Sequence, residues 1–507
     1  MRIPVERQSI KVAPDAKRVI ARFFFSGEQR AKEVIARVMT LTDEQVFDIV
    51  SPLLQEFSRR HRNITKILYR HCNRVKIIVQ SMGIDFEEIK PFRKLLLGSY
   101  FTHEYSIESA AFFNPSIIED PDQCDLDFGQ KRLIISFRAV GEGHISSIAF
   151  RRAVIDQNHN IVVQSVGNYV DEADIVRSTT YEKKLFFDKI VTARIDMEVV
   201  KELENLLKDR FDYTTLRSII LELQRAQQDD RIKTELEKVL WLSESYNEIT
   251  FSLDTDISDR VIFPISELER KGIEDARFVK FTENDGKVIY YATYTAFDGA
   301  LIIPKLLQTS DFYSFKIRPL HGAGALNKNL ALFPRRINGS YAMLSRIDGC
   351  NNYLMYSRNI NLWENPVKLQ EPMYPWEFTQ IGNCGSPLET ERGWLIITHG
   401  VGPMRKYCLG ATLLDLNDPS VELGRLKEPL LVPNQDEREG YVPNVVYSCG
   451  GIIHNDKLVL PYGLSDYSSS FAVIDLPILL DKIIADSTGV ISCALGTPAP
   501  APGVNNV

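Results

Sequence analysis

Two kinds of hydrophobic pattern divide the chain. Thr42 and Gln45 have the spacing of a capping box, which predicts the start of a helix. A second helix is predicted from Ile64 to about Met82, before Gly83. The first of these helices carries apolar residues at helical spacing: Val46, Ile49, Val50, Leu53, Leu54 and Phe57. Residues 1–100 are therefore predicted to form an N-terminal helical extension.

Strand-like patterns begin after this extension. Arg132 to Val140 and His144 to Ala153 are predicted to pair around Gly141-Glu142-Gly143. Helical spacing returns within residues 186–245, which predicts a helical hairpin inserted into the β region. From Asn247 to about Asp475 the chain reads as short strands separated by Gly, Asn and Asp turns.

A local repeat lies within this strand region. Ser310-Asp311 precedes Phe315, and Ser357-Arg358-Asn359 precedes Trp363, so a polar turn leads to an aromatic residue in both places. Repeated short strands with periodic aromatic residues favour the blades of a β-propeller over 101–485, and the spacing alone leaves a β-sandwich open. The end of the chain, 486–507, is predicted to be a disordered tail, because Pro and Ala concentrate from Thr497 to Val507.

Composition narrows the classes of function. The chain has 507 residues, a formal charge of -7 and a pI near 5.8, which does not suit a nucleic-acid-binding surface. No apolar run has the length of a membrane span, and the first residues lack the apolar core of a secretory signal. The seven cysteines are scattered without a CxxC pair. We therefore expect a cytoplasmic protein with reduced cysteines that binds neither nucleic acid nor membrane.

Several charged residues stand near predicted strand ends. Asp275 and Arg277 alternate along one predicted strand, so a carboxylate and a guanidinium are expected to share a face. An ordinary surface ion pair is the competing interpretation. Lys328, His399 and Asp466 lie close to other strand ends, and in a closed radial array such ends converge on one mouth. Their recurrence at similar positions favours a common site over separate structural roles.

Other chemical signals are weak. Gly322-Ala323-Gly324 lacks the spacing of a dinucleotide-binding loop. Gly385-Ser386-Pro387 is not a nucleophile elbow, because the GxSxG pattern is absent. The histidines are scattered without an HExxH motif, so we expect no metal site.

The chain resembles glycoside hydrolase family 130, whose members are inverting mannoside phosphorylases and some inverting β-mannosidases. The resemblance runs from about Phe112 to Asp475 apart from the helical insertion. It is carried by Phe113-Asn114-Pro115-Ser116, Phe137-Arg138-Ala139-Val140, Gly272-Ile273-Glu274-Asp275-Ala276-Arg277, Leu332-Phe333-Pro334, Tyr341-Ala342-Met343-Leu344 with Arg346, Gly393-Trp394, His399-Gly400-Val401 and Arg438-Glu439-Gly440-Tyr441-Val442-Pro443-Asn444.

The resemblance implies a mainly β fold, a five-bladed β-propeller with the N-terminal helical extension and the inserted helical hairpin as additions. It implies that Asp275 is the general acid, whose proton passes through a sugar hydroxyl. Arg277, Lys328 and His399 are the implied phosphate-binding residues. The implied substrate-binding residues are Asn114, Arg138, Arg346, Tyr441 and Asp466.

The implied reaction is the phosphorolysis of β-1,2-linked mannosides to α-mannose 1-phosphate. The expected partners are a β-mannoside oligosaccharide and inorganic phosphate as co-substrate, without another cofactor. The helical additions are the expected surface for a homo-oligomer.

One position departs from the family pattern. Ser147 stands where many members carry an arginine, and Arg151 or Arg152 is a candidate replacement. If one phosphate-binding cation is missing, the alternative function is that of an inverting β-mannosidase, which uses water instead of phosphate. Such a hydrolase needs a second carboxylate, for which Glu142, Glu274 and Glu439 are candidates. A sugar-binding propeller without catalysis is the alternative from another class.

Overall fold

The computed structural model describes residues 3–177, 181–192, 195–244, 247–299 and 302–494. The fold over these residues is mainly β, as predicted. Most strands belong to five sheets of four to six strands, and the strand pairs are antiparallel except for one parallel pair between 171–172 and 260–261. One terminal strand of each sheet is rich in buried residues and is here called its inner strand: Ala111–Glu119, Ile273–Thr282, Lys328–Leu332, Gln380–Asn383 and Val446–Tyr447.

The inner strands of the five sheets follow one another along the chain. The first sheet contains Ala111–Glu119, Lys131–Val140, Ser146–Ile155, Ile161–Val163, Asp171–Glu172 and Arg260–Ile262. The second contains Asp174–Arg177, Asn247–Thr250, Ile273–Thr282, Val288–Phe297, Ile302–Thr309 and Ser314–Pro319. The third contains Lys328–Leu332, Tyr341–Arg346, Asn352–Ser357 and Val367–Gln370. The fourth contains Gln380–Asn383, Leu388–Thr390, Gly393–Val401, Tyr407–Leu414 and Glu422–Arg425. The fifth contains Val5–Val12, Val446–Tyr447, Ile452–His454, Lys457–Leu464 and Ser468–Asp475.

Each sheet contacts the next, and the fifth contacts the first. The hydrogen bonds between neighbouring sheets run from Phe278 N to Ser116 Oγ (3.1 Å), from Thr282 N to Pro334 O (2.9 Å), from Asn329 Nδ2 to Asn383 O (3.0 Å), from Tyr407 N to Asn444 O (3.1 Å) and from Cys449 N to Pro115 O (2.8 Å). The sequence of contacts therefore closes on itself, which brings the inner strands together although they are far apart in the chain.

Apolar clusters fill the spaces between adjacent sheets. Phe150 of the first sheet packs against Phe278 of the second at 5.8 Å between ring centroids, and Phe315 joins them. Phe315 and Trp363, the aromatic residues of the local repeat, are both fully buried. Burial of these large rings supplies much of the driving force that holds the sheets together.

The N-terminal segment is less uniformly helical than its pattern suggests. Its helices are Glu28–Thr40, Asp43–Phe57, Ile64–Arg74, Lys76–Ser81 and Pro91–Tyr100. The predicted capping box of Thr42 and Gln45 is confirmed. The helix predicted from Ile64 to Met82 is wrong as one element, because it is interrupted at Val75. Two strands were also missed: Val5–Val12 adds an edge to the fifth sheet, and Val19–Phe23 pairs with Thr102–Ser106.

The inserted region and the chain end differ from prediction in extent. Between Asp174–Arg177 and Asn247–Thr250, two paired strands of the second sheet, the described residues form four helices rather than a hairpin: Lys183–Thr192, Met197–Leu206, Tyr213–Ala226 and Asp230–Glu244. A short pair of strands, Tyr181–Glu182 and Arg210–Phe211, accompanies them. The tail predicted from residue 486 begins inside a helix, Leu476–Ala494, and 495–507 lie outside the described residues. Within the described part of the chain, no helix is long and apolar enough to cross a membrane.

Candidate active site

Two cavities lie at opposite ends of the inner strands. One, of about 470 Å³, is largely apolar, and its charged side chains form pairs, Lys280 with Glu119 and Arg335 with Glu389. The other, of about 290 Å³, is strongly polar and collects charged side chains from all five sheets. The polar cavity, here called the pocket, is therefore the candidate active site.

The same backbone irregularity recurs in three inner strands at the pocket. The first, second and third sheets each carry a one-residue bulge, between Phe113 and Ser116, between Glu274 and Arg277, and between Lys328 and Ala331. A residue inside each bulge is left-handed: Asn114 (φ 51°), Asp275 (φ 55°) and Asn329 (φ 67°). Asn and Asp tolerate this conformation better than other non-glycine residues, and bulges often re-aim side chains next to active sites. All three residues line the pocket.

Asp275 is a largely buried carboxylate with a fixed orientation. Asn114 Nδ2 donates a hydrogen bond to Asp275 Oδ1 at 2.8 Å, and Arg138 Nη1 lies 3.9 Å from the same oxygen. Burial alone would raise the pKa of Asp275, but the charges of Arg138 and Arg277 and the Asn114 hydrogen bond hold the pKa below its usual value. The carboxyl group is therefore ionised at neutral pH.

Glu274, next to this acid, is held by two cations. Arg138 Nη2 lies 2.8 Å from Glu274 Oε1, and Lys328 Nζ lies 2.6 Å from Glu274 Oε2. Glu274 is considered from the sequence only as a hydrolytic base. In the structure both of its oxygens are occupied by cations, which disfavours removal of a proton from water.

Arg277 lies beneath the pocket rather than on its surface. Its side chain is 2% exposed; Nη1 donates to the backbone oxygen of Asp275 at 3.0 Å, and Nη2 donates to the Tyr447 hydroxyl at 2.8 Å. The prediction that Asp275 and Arg277 share a face by simple alternation is wrong, because the bulge breaks the alternation between them. Arg277 supports the acid from below.

Arg346 and His399 form the other wall. Arg346 Nη1 lies 3.2 Å from His399 Nε2, and the buried Arg346 Nε has no hydrogen-bond partner among the residues that the structure describes. Burial and the charges of Arg346 and Arg277 lower the pKa of His399 well below its usual value, so the ring is neutral. Its Nε2 then accepts from Arg346. Gly382 makes room for this ring, since a Cβ there would lie 2.4 Å from His399 Cε1.

Asp466 brings a third carboxylate from the turn between the last two strands of the fifth sheet. It is also left-handed, with φ 51°. Burial, reinforced by the negative charge of Asp275, raises the pKa of Asp466 to about 6, although Arg138 and Arg405 oppose this rise. Asp466 therefore changes charge close to neutral pH while Asp275 stays ionised.

The raised pKa of Asp466 predicts a pH-dependent stability. A carboxyl whose pKa is raised on folding stabilises the native state at low pH, and this contribution is lost as pH rises through about 6. The rise from the usual 3.8 to about 6 corresponds to at most about 3 kcal/mol. Asp466→Asn should therefore gain stability relative to the parent at pH 7.5 but not at pH 4. Thermal melts of both proteins at both pH values test this, and an equal difference at the two would contradict it.

The structure brings together seven of the nine predicted site residues. Those that line the pocket are Asn114, Arg138, Asp275, Lys328, Arg346, His399 and Asp466. Arg277 lies below them, and Tyr441 stands outside the lining with 69% of its surface exposed. The lining residues that the sequence interpretation missed are Asn329, Gln380, Arg405, Tyr407, Val442, Val445 and Tyr447. Val442, Val445 and Tyr447 fall in or just after the Arg438–Asn444 segment, so proximity to that motif was an available signal.

The candidate substitutes for the missing family arginine are engaged elsewhere. Arg151 Nη2 pairs with fully buried Glu108 at 2.7 Å, and Arg152 Nε pairs with Asp120 at 2.9 Å. Neither lines the pocket, so the proposal that they replace the cation is wrong. Glu142 and Glu439, the other candidate bases, are exposed and also lie outside the lining. Over the described ranges, no cluster of three or more His, Cys, Asp or Glu side chains could hold a metal ion.

The pocket therefore places the Asp275 carboxylate close to the side chains of Arg138, Lys328 and Arg346. Residues 228–484 match the model of glycoside hydrolase family 130, described as beta-1,4-mannooligosaccharide phosphorylase. The chain belongs to this family.

Two relatives identified by sequence agree with the family match. The chain is 37% identical over 218 residues to a 1,2-beta-oligomannan phosphorylase of Thermoanaerobacter sp. (strain X514), covering 42% of this chain and 71% of the relative. It is 32% identical over 272 residues to a beta-1,2-mannobiose phosphorylase of Listeria innocua, covering 49% of this chain and 75% of the relative. The solved Listeria innocua beta-1,2-mannobiose phosphorylase complex superposes with a TM-score of 0.44 at 23% identity over 74% of this chain and 92% of that one.

Proposed function

We propose that this protein is an inverting phosphorylase of β-1,2-linked oligomannosides that releases α-mannose 1-phosphate. The observation that carries the proposal is Arg346, a lining cation without a carboxylate partner among the described residues, in the same pocket as Asp275. The names of the relatives support the substrate class. We also propose that the five sheets are the blades of a five-bladed β-propeller, which the closed order of contacts supports.

Asp275 supplies the proton in this reaction. As the C1–O bond breaks, its electron pair passes to the departing oxygen, which takes the proton, while a phosphate oxygen bonds to C1 from the opposite face. Because Asp275 is ionised at neutral pH, it must gain a proton from solvent when the substrates bind. A bound phosphate anion would raise the pKa of Asp275 in two ways. It offsets the positive charge of the neighbouring cations, and it adds negative charge near the carboxylate.

The cations divide into two groups. Arg138 and Lys328 already share Glu274, whereas Arg346 has no carboxylate partner among the described residues, and its guanidinium fits a phosphate in a two-pronged contact. Lys328, about one-third exposed, reaches the same pocket as a second cation. His399 acts through Arg346, since its Nε2 accepts from that side chain. Inorganic phosphate is proposed as the only co-substrate.

Hydrolysis remains the second candidate because of one observation. Asp466 is a lining carboxylate that forms no ion pair within 4.0 Å among the described residues, so it is available to activate water above pH 6. In an inverting hydrolase it would take the place of phosphate as the source of the nucleophile.

Incubation of the protein with β-1,2-mannobiose, with and without phosphate, separates the candidates. The expected result is α-mannose 1-phosphate, seen by ³¹P NMR, with turnover that stops when phosphate is omitted. Release of free mannose at an unchanged rate without phosphate would establish the hydrolase instead. Saturable sugar binding without turnover in either condition would identify a sugar-binding protein.

A further inference from the structure

Two hairpin loops at the pocket mouth share one conformation. In the first sheet Gly141 N bonds Ile145 O at 3.2 Å, and in the fourth sheet Gly402 N bonds Lys406 O at 3.1 Å. The opening glycines have φ/ψ of −110°/−157° and −109°/−161°. The last left-handed residue is His144 (φ 57°) in one loop and Arg405 (φ 54°) in the other. His144 and Arg405 therefore occupy matching positions on two different sheets.

Arg405 lines the pocket, so a residue at this position of the loop can reach the pocket. The fifth sheet separates the fourth from the first in the closed order of contacts, and Tyr441 lies on the segment that enters the fifth sheet. The rings of His144 and Tyr441 lie 5.3 Å apart at an angle of 34°. Val442, next to Tyr441, lines the pocket. The pair of rings, here called the rim platform, stands directly outside the pocket.

Both halves of the rim platform rest on fixed backbone. The Tyr105 hydroxyl bonds Glu142 O at 2.9 Å, which fastens the His144 loop. Val442 N bonds Ser465 O at 3.0 Å, and this fastens the Tyr441 segment. Tyr441 is nevertheless 69% exposed. A large aromatic ring held open to solvent on rigid backbone loses little entropy when a ligand covers it.

We propose that the rim platform is an outer subsite that binds mannosyl units beyond the linkage being cleaved and sets the preferred chain length. This inference rests on the proposed function and adds the location of the longer substrate. The apolar C–H face of a pyranose packs on an aromatic ring, while its hydroxyls reach polar atoms such as the His144 nitrogens. A pocket of about 290 Å³ does not enclose a long oligosaccharide, so further units must lie on the mouth.

Phosphorolysis of β-1,2-mannosides of two to five units, measured as kcat/KM, tests the rim platform. In the parent protein kcat/KM should rise with chain length. In Tyr441→Ala the rise should disappear, with a loss of about 10-fold on the longer substrates and less than about 2-fold on the disaccharide. His144→Ala should show the same pattern more weakly, and Tyr441→Phe should keep the rise because it retains the ring.

Phe378→Ala is the matched control. Phe378 is also an exposed aromatic residue, 63% exposed, and precedes the lining residue Gln380 by two positions, but it lies outside the rim platform. Its chain-length profile should match the parent profile. A flat parent profile, or an equal loss on all substrates in Tyr441→Ala, would overturn the subsite while leaving phosphorolysis intact. If instead the parent protein turned over the substrate at the same rate with and without phosphate, the proposed function would be overturned.

Discussion

Asp275→Asn should lower kcat by about 10³-fold while the mannoside still binds, because the amide cannot give up a proton to the departing oxygen. The substitution keeps the shape of the side chain. Its amide oxygen can still accept the Asn114 hydrogen bond, and asparagine tolerates the left-handed backbone at this position. Loss of turnover can then be read as loss of chemistry. Steady-state kinetics with saturating phosphate, together with calorimetric titration of the sugar, measures both quantities.

Asp125→Asn is the control for this substitution. Asp125 has nearly the same backbone conformation, φ 56°, but it is exposed and outside the pocket lining. Its kcat should equal that of the parent. If Asp275→Asn retained more than about a tenth of the parent kcat, the proton would have to come from another group. Asp466, with its pKa of about 6, is then the first to examine.

Strand alternation predicts the class of fold, because it is a local property of the sequence, and the motifs shared with the family predict most of the pocket. The sequence does not predict which side chains face together. Asp275 and Arg277 illustrate this limit: the local pattern reads as a regular strand, and the bulge appears only where the strand pairs with Val288–Phe297. The sequence shows the Asn and Asp residues that adopt left-handed backbone at the three bulges. These residue types are equally common in turns, so they do not by themselves predict a bulge.

Long-range pairing also explains the missed elements. Val5–Val12 becomes a strand by pairing with Ser468–Asp475, more than 450 residues later in the chain, as Val5 pairs with Ile474. No local pattern records such a partner. Tyr441 precedes the lining residue Val442, but its exposure and its contact with His144 depend on two sheets meeting at the mouth. Positions within a motif are therefore better predicted than contacts between motifs.

Arg346→Ala should raise the KM for phosphate and reduce kcat/KM for phosphate by about 10² to 10³-fold, with a much smaller change in the KM for the mannoside. The reason is the distribution of charge in the pocket. Arg346 has no carboxylate within 4.0 Å in the part of the chain that the structure describes, so its charge is available to the incoming anion. Initial rates over a matrix of phosphate and mannoside concentrations separate the two effects.

Lys328→Ala provides the comparison that makes this prediction specific. We propose that Lys328 also binds phosphate, but Glu274 Oε2 lies 2.6 Å from Lys328 Nζ and offsets part of its positive charge. Its removal should therefore raise the phosphate KM by less than Arg346→Ala does, and still more than it raises the mannoside KM. Arg392→Ala, which removes an exposed guanidinium paired with Asp481 outside the pocket lining, should change neither constant. If Lys328→Ala instead had the larger effect on phosphate, Glu274 would have to release Lys328 on binding, and Arg138 alone would hold that carboxylate during the reaction.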